Sequence, residues 1–194
     1  VLASPGRRYI LGYALHCWEL FGSRSWLVAF LAALAGGASG QREAVMIAAA
    51  ANLLAPLASI AGNEIALRAG RDRLIWNAMG ACALLTASLG WLAGAGWPVV
   101  CALAMTHVFL LMGDSGSLTA GMVANSAQSL RGLSMAVHST LGFGAGFVAP
   151  LAFGLVLDAS GGPAAPHAWG YAFLVLAVPP LVGSSWLRPA RTGA

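Results

Sequence analysis

Apolar residues in this chain fall into six runs, each bounded by a short polar or glycine-rich break. They cover residues 9–35, 44–67, 74–94, 98–122, 133–157 and 168–187. A helix crosses the hydrocarbon core of a bilayer in about 20 predominantly apolar residues, and every run meets that length. Lipid offers no water to satisfy exposed peptide groups, so runs this long are expected as helices. The breaks are too short to fold by themselves. The longest external one, 158–167, holds the turn formers Ser160, Gly161, Gly162, Pro163 and Pro166. Short connections make successive helices antiparallel. The pattern therefore predicts an all-α membrane protein, with residues 1–194 forming one bundle of six transmembrane helices.

Composition supports the same solvent. Charged residues make up 8% of the chain, against about a quarter in a soluble domain, too few to cover a water-facing surface. The net charge of +4 is carried by arginine alone and is scattered through the breaks. It reads as a set of topology markers, and no nucleic-acid partner is expected. With the N-terminus inside, Arg7, Arg8, Arg68, Arg71, Arg73, Arg131, Arg188 and Arg191 all fall on the cytoplasmic side, and Arg42 lies opposite. That bias predicts a multi-pass protein of the cell inner membrane with both termini cytoplasmic. The first run is too long for the core of a signal peptide.

Polar groups inside the runs are costly in lipid and face a cavity or a partner. The first run holds His16, Glu19 and Arg24, the fourth His107 and Asp114, and the fifth His138. The third and sixth hold no charged side chain or histidine and read as supports. At 1.5 Å per residue, Glu19 lies roughly 15 Å and Asp114 roughly 14 Å from the inner face, so the two can share a level. Glu19 and Asp114 are candidates for a proton pathway, Arg24 for substrate charge or for pairing with a carboxylate, and His16, Asn52 and His138 for a cavity wall. Glycines at 142, 144, 146 and 154 with Pro150 fit either close packing or a bending helix, as do Pro56, Gly113 and Gly116. Cys17, Cys82 and Cys101 read as packing residues. No Cys, His and carboxylate spacing reads as a metal site, and no cofactor is expected.

The segment from Gly62 to Arg73 contains Glu64, Arg68, Gly70 and Arg71 between the second and third runs. Together with Arg131-Gly132 ahead of the glycine-rich fifth run, it resembles the C-terminal half of a major facilitator superfamily transporter. Arg68, Gly70 and Arg71 match that family's loop signature. Leu67 stands where the family has an acid, and Gly62 is displaced by one position. The resemblance covers the whole chain. It implies a secondary transporter of a small solute that works by alternating access, with protons as the candidate coupling ion and no catalytic residue. It further implies that the first, second, fourth and fifth helices line the path and that the 62–73 loop latches the cytoplasmic side. That family has two six-helix halves, so the partner is expected to be an absent N-terminal half or a second copy. The chain begins at Val1 rather than Met, which favours the absent half.

Two rival readings remain open. Gly113-Asp114-Ser115-Gly116 fits the serine motif of rhomboid intramembrane proteases, with Ser115 as nucleophile, but the sixth run lacks the histidine that such an enzyme draws on. A non-transporting membrane scaffold would use Glu19, Arg24 and Asp114 only to pair with one another.

Overall fold

The structure is a computed structural model that describes Val1, residues 4–165 and residues 167–185. Expectations resting on Pro166, Arg188, Arg191 and the end of the sixth run at 187 lie outside the described residues. Among the described residues every regular element is helical. The helices are α1 (Arg7–Ala35), α2 (Gly37–Ala69), α3 (Arg71–Leu89), α4 (Trp97–Met112), α5 (Ser115–Ala124), α6 (Arg131–Ala159) and α7 (Ala168–Ser184). Short 3-10 turns at Trp91–Ala95 and Gln128–Leu130 lead into α4 and α6.

Three stretches are long and apolar enough to cross a membrane: Gly37–Ala69, Trp97–Ala124 and Gln128–Ala159. They mark a membrane protein. Helix α7 is apolar but shorter. In α1 the length is sufficient, and His16, Glu19 and Arg24 in its middle lower its hydropathy.

Two boundaries differ from the sequence expectation. Residues 36–43 were expected as an external loop, but the turn needs only Gly36 and Gly37, both at positive φ (65° and 66°). Glycine adopts that backbone without a Cβ penalty, so the polar residues after it become the first turns of α2. The fourth run, expected as one helix, is interrupted between Met112 and Ser115. Gly113, Asp114, Ser115 and Gly116 are all weak helix formers, and at the interruption the Gly113 amide bonds back to Leu110 in a tighter turn.

Helix α1 is the hub. It packs most extensively on α6 and also touches α2, α4, α5 and α7. The α6 glycines explain the closeness. A Cβ at Gly142 would meet Tyr13, one at Gly146 would meet Phe21, and one at Gly154 would meet Trp26. These three positions serve packing, whereas Gly144 faces open space.

Apolar contacts form at both ends of the bundle. Near the start of α1, Tyr9 and Ile10 pack with Ile75, Met79, Leu118 and Met122. Near its end, Leu27, Phe30 and Leu31 join Phe153, Trp169 and Phe173. The ionisable groups of α1, at 16 and 19, lie between these two clusters. Among the described residues, the buried carboxylates and histidines (His16, Glu19, His107, Asp114 and His138) lie in a middle layer between these two apolar clusters.

Outward faces are apolar too. Along α6, Phe143, Phe147, Leu151 and Leu155 are exposed at four-residue spacing, Phe147 by 73%. On α2, Leu53, Leu57 and Ile60 are exposed, Leu53 by 81%. A stripe of this kind needs lipid or another protein surface against it.

Candidate functional site

The middle layer has two halves that meet on α1. In the first, His16 approaches Asp114, with Nδ1 2.8 Å from a carboxylate oxygen and both side chains buried. The two atoms stand at ion-pair distance without hydrogen-bond alignment, and His16 Nε2 has no partner. Asp114 lies at the α4–α5 interruption and precedes the first turn of α5, where unpaired amides favour a negative charge.

Tyr13 extends this half. Its ring stacks on His138 with centroids 3.8 Å apart and lies 5.8 Å from His16. His138 Nε2 in turn is 3.3 Å from Thr119 Oγ1 on α5. Asp114, His16, Tyr13, His138 and Thr119 form a continuous polar and aromatic line through α1, α5 and α6.

The second half centres on Glu19, which is buried. Thr86 of α3 contacts Glu19 Oε1 through its hydroxyl, and His107 Nε2 of α4 lies 3.9 Å from the same oxygen. Thr86 Oγ1 also stands 3.0 Å from the Cys82 carbonyl. One hydroxyl proton cannot serve both acceptors. Thr86 donates either to an ionised Glu19 or to Cys82, and in the second case a protonated Glu19 donates to Thr86.

Sequence reasoning found His16, Glu19, Asp114 and His138, and the fold gathers all four in the middle layer. Arg24 does not join a carboxylate. Among the described residues its polar contact is Nη2 to the Met112 sulfur at 3.8 Å, so the pairing expected in the scaffold reading is absent. Asn52 donates to the Ala48 carbonyl of its own helix at 2.8 Å and stands apart from the cluster. The expectation that α3 is only a support needs correction, because Thr86 and Cys82 bring α3 into the layer. Neither residue is charged, so nothing in the run singled them out, and Tyr13 was missed for the same reason.

An open groove of about 620 Å³ lies between α2 and α5. Ser59, Asn63, Glu64, Ser115 and Thr119 give it polar walls. Thr119 joins the groove to His138 and so to the buried line. Behind it, Gly62 closes directly on the backbone of Gly113, and a Cβ there would run into that carbonyl.

Comparison with known protein families, curated proteins and solved structures returned no match. The site's own geometry therefore carries the functional argument.

The 62–73 segment splits between two ion pairs. Arg68 pairs with Glu64 one turn earlier on α2, at 2.8 Å and well exposed. Asp72 instead reaches α1, with Arg8 at 2.8 Å and the Tyr9 hydroxyl donating at 2.6 Å. Gly70, at φ 93°, makes the turn between α2 and α3. Arg71 and Arg73 make no ion pair among the described residues. Ser115 lines the groove, and among the described residues no histidine hydrogen-bonds its hydroxyl.

Proposed function

We propose that this protein is a six-span half of a secondary transporter of the major facilitator type. In this reading it moves a small solute across a bacterial inner membrane by alternating access, with its termini cytoplasmic. The observation that carries the reading is the buried His16–Asp114 contact at a broken helix beside an open polar groove. Broken helices at mid-membrane, with polar groups at the break, are how secondary transporters hold solutes and coupling ions. A purely structural bundle has no need to keep these groups in its middle layer.

The solute would occupy the α2–α5 groove, and Arg24, which lies outside that groove beside Met112, would offer charge to an anionic group elsewhere on the path. Glu19 and Asp114 would carry protons, and His16 and His138 would relay them to the groove through Thr119. The exposed apolar faces of α2 and α6 leave surface for the N-terminal half or a second copy. Arg68, Gly70 and Arg71 would latch the halves on the cytoplasmic side.

Proteoliposomes containing a pH-sensitive dye test the reading. The full-length protein should produce proton flux that depends on one member of a panel of small organic anions and cations. Glu19→Gln should abolish that flux while inserting to the same level. Solute-dependent proton flux undiminished in Glu19→Gln, or no such flux with any solute, defeats the assignment.

A further inference from the structure

We propose that Glu19, Cys82 and His107 form a binding site for a divalent transition-metal ion of the zinc or cobalt type. The three residues come from α1, α3 and α4, and their ligand atoms all lie within 4.8 Å of one another. The carboxylate oxygen and His107 Nε2 are 3.9 Å apart. Zinc bonds of about 2.0–2.3 Å in a tetrahedron place ligand atoms roughly 3.3–3.8 Å from each other. Small side-chain rotations close the difference.

Unmet bonding capacity marks the position. His107 is fully buried, and neither ring nitrogen has a partner. Buried polar atoms in folded proteins nearly always have one. A cation held between Nε2 and the Glu19 oxygen meets that need at Nε2. The Thr86 hydroxyl contacts the same carboxylate oxygen, Oε1, and donates to it once Glu19 is ionised, as outer-shell groups do at metal centres.

Ligand chemistry selects the ion. One thiolate, one imidazole and one carboxylate suit zinc and its neighbours, whereas magnesium and calcium take oxygen ligands. Charge selects it as well. A divalent ion with one thiolate, one carboxylate and a neutral imidazole forms a set of zero net charge, which a buried layer tolerates far better than a lone ion. The Cys82 thiol now points to the His107 carbonyl at 3.8 Å. On binding it gives up that contact and releases its proton to solvent, so uptake of the ion is linked to proton release. With three protein ligands, the fourth position stays open to water. The site does not depend on the transport reading. It shares Glu19 with the proposed proton path, so ion and proton would occupy that carboxylate in alternation.

Cobalt(II) titration of the purified 194-residue chain in detergent tests the site. The result expected is one equivalent bound, with the d–d bands of a tetrahedral ion and a thiolate-to-cobalt charge-transfer band, all displaced by zinc. Cys82→Ala should lose the charge-transfer band, and its affinity should fall by more than the roughly 10–100-fold cost of losing an outer-shell partner. The double variant Cys17→Ala/Cys101→Ala should keep the band. If Cys82→Ala does not fold, the double variant decides, because Cys82 is then its only thiol. A band that survives Cys82→Ala, or that is missing from the folded double variant or the wild type, overturns the proposal.

Discussion

Trp18 shows how one residue repairs a defect left by another. Pro179 inside α7 has no amide proton, so the Val175 carbonyl four residues earlier loses its helical partner. The Trp18 indole donates to that carbonyl at 3.1 Å. Trp18→Phe keeps most of the packing and removes the donor. It should lower unfolding stability in micelles by about 1 kcal/mol, the low end of the cost of an unpaired acceptor, because this one is only part-buried. Trp97→Phe is the control. Its indole meets Glu43 at an exposed site, and a change within about 0.5 kcal/mol is expected there. Equal losses in the two variants would remove the special role of Val175. At this scale the charged groups were legible in the sequence, since an ionisable residue inside a long apolar run stands out. Thr86 and Cys82 were not. Their importance comes from Glu19, which lies 67 residues from Thr86 along the chain.

Helix α2 meets the α4–α5 interruption through a contact without side chains. Gly62 lies against Gly113, and only the absence of a Cβ permits that approach. Gly62→Leu should force α2 away from the break and cost at least the roughly 1–3 kcal/mol typical of overpacking. Gly80 on α3 has open space beyond its Cα. Gly80→Ala should gain about 0.4–1 kcal/mol through the unfolded chain's lost freedom. Thermal unfolding of the two variants in one detergent checks both, and a Gly62→Leu variant as stable as wild type would contradict the close approach. The sequence located most helices to within a few residues because apolar run length dictates them. It missed the early start of α2, where two glycines do the work expected of an eight-residue loop, and it read α4 and α5 as one. Glycines at 113 and 116 flagged flexibility. Whether a helix bends or breaks there depends on what packs against it, and that neighbour is Gly62.

As a whole, the molecule places a polar layer between two apolar ones and opens that layer toward one side, at the α2–α5 groove. The apolar stripe on α2 borders this opening at Ile60. Counting residues from the inner face put Glu19 and Asp114 at one level, whereas in the fold Asp114 stands against His16, three residues before Glu19 on α1. The direction in which the layer opens was not legible, because it depends on the rotation of each helix about its own axis. The central claim is that the groove holds water while its surroundings hold lipid. Thiol labelling tests it most directly. In a background with Cys17, Cys82 and Cys101 replaced by alanine, single cysteines at Ser59, Thr119 and Leu151 are treated with a charged, membrane-impermeant maleimide in sealed vesicles of either orientation. Labelling at Ser59→Cys and Thr119→Cys, with none at Leu151→Cys, is the outcome predicted. Unreactive thiols at both groove positions in both orientations would contradict the account.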